Sequence, residues 1–149
     1  MIARGFVENG ARVYISSRNQ KTCQDVAQEL SALSGGGSCV ALAGVDLGKG
    51  VAECDLIAQQ LRDAGVDKLH VLINNSGCTW GEPLDEFKEQ GWDKVMDLNL
   101  KGLFFLTRAC LPLLKAAASR QDPARTINVA SVAGMLKMKR NPHIHQVCS

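Results

Sequence analysis

Four stretches of this 149-residue sequence place polar groups directly after apolar, strand-like runs. Ser17-Arg18 follows Arg12-Val13-Tyr14-Ile15-Ser16, and Asp46-Leu47 comes shortly after the run from Cys39 to Ala43. Asn74-Asn75-Ser76-Gly77 follows Leu69 to Ile73, and Ser131 follows Thr126 to Ala130. A hydroxyl beside a guanidinium suits a phosphate, by charge and by the fork of N–H donors. Arg18 could equally be a solvated loop residue. A lone serine at a strand end is more often a turn cap than a reacting group. Asn99, inside Met96-Asp97-Leu98-Asn99-Leu100-Lys101-Gly102, is a poor helix former within a helical pattern, and by itself it would be satisfied by local backbone.

The elements that must position these groups alternate in type. Met1 to Asn9 reads as a short helix closed by Asn9-Gly10. Arg12 to Ser16 is short and rich in β-branched and aromatic residues, as a strand is. Gln20 to Leu33 spaces Val26, Ala27, Leu30 and Leu33 for one helix face, and Ser34-Gly35-Gly36-Gly37-Ser38 breaks it. A strand from Cys39 to Ala43, a helix from Val51 to Ala64 and a nearly all-apolar strand from Leu69 to Ile73 repeat the cycle. A long helix from Gly91 to Ala118, with Pro112 late in it, precedes a fourth strand from Thr126 to Ala130. Strands separated by helices pair in parallel, because the return needs a crossover, so the expected fold is an α/β doubly wound parallel sheet. Ligands of such sheets bind beyond the carboxyl ends of the strands, and Arg18, Asp46, Asn75 and Ser131 are all expected there.

Bulk properties narrow the classes. The chain is 46% hydrophobic and 21% charged with a formal net charge of +2, which fits one ordinary globular domain and no nucleic-acid surface. Its apolar runs are far too short for a membrane span, and no signal peptide is visible. The six cysteines are 15 or more residues apart, without metal or redox spacing, so a reducing compartment, the cytoplasm by default, is expected. His143-x-His145 with Cys148 has only a faint metal-site look, and no metal site is expected.

Asn74-Asn75-Ser76-Gly77 resembles the Asn-Asn-Ala-Gly signature of short-chain dehydrogenases, with Ser76 in place of alanine. Asp46-Leu47, Asn99 and Ser131 in Ala130-Ser131-Val132-Ala133-Gly134 resemble three further motifs of that family, in the same order and spacing. The resemblance covers residues 1–134 and implies a Rossmann-like NAD(P)-binding domain. It implies cofactor contacts at Ser17, Arg18, Asp46, Leu47, Asn75, Ser76 and Gly77. It implies catalytic roles for Ser131, toward a substrate carbonyl or alkoxide, and for Asn99, which would hold a proton-relaying water. Ser17 and Arg18, standing where an acidic residue would select NAD, favour NADP (NADPH). The implied activity is hydride transfer between this cofactor and a small-molecule carbonyl or alcohol. The stretch from Asn74 to Trp80, with Gly91 to Met96, looks most like 3-oxoacyl-carrier-protein reductase relatives. Self-association through the helix 91–118 is a further implication.

Two departures set this sequence apart from the family pattern. It has no first strand and no glycine-rich phosphate turn before the first helix. It also lacks the Tyr-x-x-x-Lys pair that should follow Ser131, since its sole tyrosine is Tyr14 and the region reads Asn141-Pro142-His143-Ile144-His145. Residues 135–149 show no helical or strand period and are expected to be a disordered or non-native tail. The sequence therefore reads as an incomplete sheet lacking its first and C-terminal strands, in a fragment inactive by itself. A non-catalytic pseudo-dehydrogenase that binds nucleotide or a full-length partner is the other reading.

Overall fold

A computed structural model describes residues 1–131 and 145–147. The helices bury apolar residues on one side, and α2 also starts on a side-chain cap. α1 spans Ile2–Glu8 and buries Val7. In α2, Gln20–Ser31, the Asn19 side chain accepts from the Thr22 N–H at 3.0 Å, and Cys23, Ala27 and Leu30 form the buried stripe. α3, Val51–Asp63, buries Cys54, Ile57, Ala58 and Leu61.

The strands are short and pair in parallel. β1 (Arg12–Ile15) lies beside β2 (Ser38–Ala41), with Val13 opposite Cys39. β3 (Val71–Asn74) lies beside β5 (Arg125–Asn128), with Ile73 opposite Ile127. The parallel α/β architecture is as expected, but its strands form two separate pairs rather than one sheet. A third pair is antiparallel: β4, Trp80–Glu82, with β6, His145–Val147. The sequence signalled neither of these two strands.

Two cores hold the layers. The larger gathers Leu42, Val45 and Leu47 with the buried stripes of α3 and of α5, Leu103–Ala117, and takes in Tyr14 and Leu72 at its margin. The smaller joins Val7, Ala27, Leu30 and Cys39, with Val13 and Ile15 against it. β3 was expected to be buried on both faces, yet Val71, Leu72 and Ile73 are only half-buried, and all of β5 is exposed. The α3–α5 layer covers one face of that pair, which leaves Ile127 43% and Val129 46% exposed.

The long helix expected over 91–118 is three pieces. α4 covers Glu89–Met96, a π-helical segment covers Asp97–Gly102, and α5 continues to Ala117. Close packing at Gly102 accompanies the interruption: a Cβ there would come within 2.9 Å of the Leu47 carbonyl. Pro112 stands inside α5 on its exposed side and removes one backbone hydrogen bond of that helix.

Candidate cofactor site

Ser17, Arg18, Asn19 and Gln20 line an open depression of about 680 Å³ just past the end of β1. All four are exposed, and no acidic partner of Arg18 is found among the described residues. The Ser17 hydroxyl donates to the Asn19 carbonyl at 3.0 Å. A Cβ at Gly44 would stand 3.3 Å from the Arg18 carbonyl, so glycine lets the two loops past β1 and β2 approach. A hydroxyl, a guanidinium and two amides suit an anionic group.

Asp46 and Leu47 do different work from each other. The Asp46 carboxylate accepts from the Gly48 N–H at 3.2 Å and starts a short 3₁₀ turn, while the Asp46 N–H donates to Glu53 at 3.0 Å. Leu47 is a core residue, 7% exposed, so only its backbone is left for a ligand. The Cys54 thiol donates to the Gly102 carbonyl at 3.5 Å and ties this turn's neighbourhood to the π segment.

The loop after β3 is held by Asn99. The Cys78 N–H donates to Asn99 Oδ1 and Asn99 Nδ2 donates to the Cys78 carbonyl, both at 2.8 Å. Asn99 is therefore buried and doubly paired, and the local satisfaction expected of a helix-interior asparagine is replaced by a bracket across 21 residues. Asn75, Ser76 and Gly77 are exposed immediately before this bracket. A Cβ at Gly77 would stand 3.5 Å from Asn99 Oδ1. Ser131 is exposed three residues past β5. Arg18 and Asp46 thus follow the β1–β2 pair, while Asn75 and Ser131 follow the β3–β5 pair.

Sequence reasoning missed a second set of contacts. Trp80 seats on α4, where a Cβ at Gly91 would overlap its indole, and the Lys94 ammonium lies 5.0 Å from the ring centroid. The Cys78 thiol donates to the Lys94 carbonyl at 3.5 Å. The Lys88 N–H donates to Glu82 at 3.0 Å and is the main reason that carboxyl titrates below its ordinary value. The Trp80 N–H adds to this without closing a hydrogen bond of its own. Only the pairing of Trp80 with a glycine one α-helical start later could have signalled the seat. His143 and Cys148 lie outside the described residues, and Tyr14 packs against the large core under the Arg12 guanidinium.

The family model for short chain dehydrogenase matches residues 1–143. The chain belongs to the short-chain dehydrogenase family. It is similar to a rhamnolipids biosynthesis 3-oxoacyl-[acyl-carrier-protein] reductase of Pseudomonas aeruginosa, at 42% identity over 93% of this chain and 52% of the relative. It is also similar to an NADP-dependent 3-hydroxy acid dehydrogenase of Salmonella typhi, at 34% identity over 89% of this chain and 49% of the relative. The Pseudomonas aeruginosa RhlG/NADP active-site complex superposes with a TM-score of 0.85 at 40% identity, covering 93% of this chain and 52% of that one. A metagenomic short-chain oxidoreductase in complex with NADP gives 0.74 at 31% identity, over 92% and 58%. This short-chain dehydrogenase chain spans about half the length of the curated relatives it matches. Its fold is Rossmann-like, and no helix among the described residues is long and apolar enough to cross a membrane.

Proposed function

We propose that this chain carries the adenosine-phosphate end of an NADP site, as part of an oxidoreductase acting on a small carbonyl or alcohol. One observation carries the preference for NADP: Ser17 and Arg18 line the depression past β1, with no carboxylate there to repel a 2′-phosphate. The NADP complexes among similar structures support the reading. Arg18, Ser17 and Asn19 would hold the phosphate, Asp46 and the Leu47 backbone the adenine, and Asn75, Ser76 and Gly77 the ribose side nearer the nicotinamide. When bound, the cofactor supplies or accepts hydride.

This chain's own residues would act on orientation and on protons. Ser131 would donate a hydrogen bond to the substrate oxygen. Asn99 spends its side chain on Cys78, so it would offer its backbone carbonyl, on the irregular π turn, to a proton-carrying water. The sole tyrosine, Tyr14, lies on β1 against the margin of the large core, so the proton donor the family uses has no counterpart in residues 1–131. We therefore read the chain as binding cofactor without turnover by itself. Exposed Trp92, Leu100, Phe104 and Leu111 along α4, the π segment and α5 support self-association through this helix.

Titration of the purified chain with NADPH and NADH by calorimetry tests the proposal. NADPH should bind the more tightly, and Arg18→Ala should weaken it by roughly ten- to a hundredfold, the range for a hydrogen bond to a charged group. NADH should be little affected. Equal binding of both nucleotides, or none by a folded sample, would refute it.

A further inference from the structure

We infer that Glu53 and Gln60 are positioning residues for the nucleotide: from α3 they clamp residues 43–46, the wall against which Ser17, Arg18 and Gln20 stand. The inference rests on the nucleotide reading of that depression. The outer edge of β2 shows why a clamp is needed. The Ser38 and Leu42 N–H groups donate to the Ala11 and Ile15 carbonyls, so even-numbered residues of β2 and its continuation turn their amides toward β1. Cys39 and Ala43 therefore turn theirs to the other edge, where no strand pairs among the described residues. Side chains meet them instead. Ser31 Oγ accepts from the Cys39 N–H at 2.9 Å, and Gln60 Oε1 accepts from the Ala43 N–H at 2.6 Å. Three residues on, the Asp46 N–H donates to Glu53 Oε2 at 3.0 Å.

The two bonds fit one register. Glu53 and Gln60 are seven residues apart on α3, which puts them on one face, two turns and about 10 Å apart along the axis. Ala43 to Asp46 is three steps of chain, also about 10 Å where extended, and Asp46 holds extended dihedrals (φ −109°, ψ 96°). The helix and the loop thus run in opposite directions and meet at both ends. Leu42, Val45 and Leu47 turn into the large core, which leaves Gly44 as the outward link. A Cβ there would stand 3.3 Å from the Arg18 carbonyl, 3.4 Å from Gln20 Cβ and 3.6 Å from the Ser17 carbonyl. The Val45 N–H donates to that same Ser17 carbonyl at 3.3 Å. Residues that line the depression therefore lean on the clamped segment. Gln60 also carries a cost: with Oε1 turned to an N–H, its Nε2 is buried without a partner among the described residues. An apolar side chain of similar size would avoid that cost, so the bond to Ala43 is the contribution an amide makes at this place.

The test is calorimetry on the intact chain with NADPH, and with adenosine 2′,5′-bisphosphate as the probe of the phosphate end alone. Gln60→Met keeps the volume and removes one acceptor, and Glu53→Ala removes the other. Each should weaken both ligands by roughly threefold to tenfold, the worth of one hydrogen bond. Glu53→Gln keeps an acceptor for the Asp46 N–H and should bind within about twofold of the parent. In the Glu53→Ala, Gln60→Met double variant, exchange of the Val45 amide, read by NMR, should quicken about tenfold although neither substitution touches it. A parent chain that binds neither ligand would refute the nucleotide reading and this inference with it. A parent that binds, beside folded single variants that bind as tightly, would overturn this inference alone. So would equal losses in Glu53→Gln and Glu53→Ala, an unchanged Val45 rate, or a loss for NADPH that adenosine 2′,5′-bisphosphate does not share. Gln60→Met by itself decides the matter should Glu53→Ala not fold.

Discussion

Asn74 Nδ2 donates to Asn128 Oδ1 at 2.7 Å, joining β3 to β5 through side chains as well as backbone. The same amide donates to Thr107 Oγ1 at 3.0 Å, whose hydroxyl donates in turn to the Leu103 carbonyl at 2.9 Å. One buried nitrogen thus fixes two strands and α5 together, directly before the Asn75–Gly77 loop. Removing its partner should be costly because Asn74 cannot turn to water. Asn128→Ala should lower stability by about 1–3 kcal/mol, the cost of a buried polar group left unpaired. Urea unfolding followed by circular dichroism reads this, and an unchanged midpoint would show that the network carries no stability.

Trp80 and Gly91 make a tighter test. Gly91→Ala places a methyl where the indole sits, so the ring must leave its seat or the helix must shift. We expect a loss of about 1–3 kcal/mol, as for other overpacked sites. Adding Trp80→Ala removes the clash, so the double variant should lose less than the sum of the two single losses, by at least 0.5 kcal/mol in order of magnitude. Additive losses in a double-mutant cycle of urea midpoints would mean the two residues do not meet.

Cys110 gives the chain an alkaline weakness. Burial chiefly, with Cys54 adding and Arg62 opposing, pushes its thiol up to about 11. A raised acid is neutral in the folded state while the unfolded chain ionises, so the folded state binds more protons between the two values. The stability is fully present below about pH 9 and falls as pH rises toward 11, by up to roughly 2–3 kcal/mol. Cys110→Ala, measured in urea at pH 8 and pH 10.5, should lose less stability between those pH values than the parent. At pH 8 native Cys110 should also resist iodoacetamide, while half-exposed Cys78 reacts sooner than Cys110 does.

Two of the strand ends were legible because an apolar run stopped by polar residues announces itself. The apolar run before Ser17-Arg18 becomes β1, and the run before Asn74-Asn75 becomes β3, which extends through Asn74. The break at Asp97–Gly102 was not legible. A π segment keeps the apolar spacing of a helix while changing its turn, and the contact that accompanies it, Gly102 on the Leu47 carbonyl, spans 55 residues. Leu47 was read as a ligand contact because a motif names positions, not side-chain directions. Burial could be judged only with α3 and α5 in place. The Trp80 seat escaped because its one signal, a glycine at the start of the next helix, is too common to single out Gly91.

The smaller core has a consequence in time. Val7, Ala27, Leu30 and Cys39 close on one another, with Val13, Ile15 and Ala41 around them, so every partner lies within the first 41 residues. That unit can assemble from short-range contacts alone, which form fast because little chain entropy is lost in closing small loops. The larger core must wait for Leu113 and Leu114 of α5. During synthesis the amino-terminal layer can therefore be folded while the helices of the other are still unmade, and it gives the later strands a finished surface to meet.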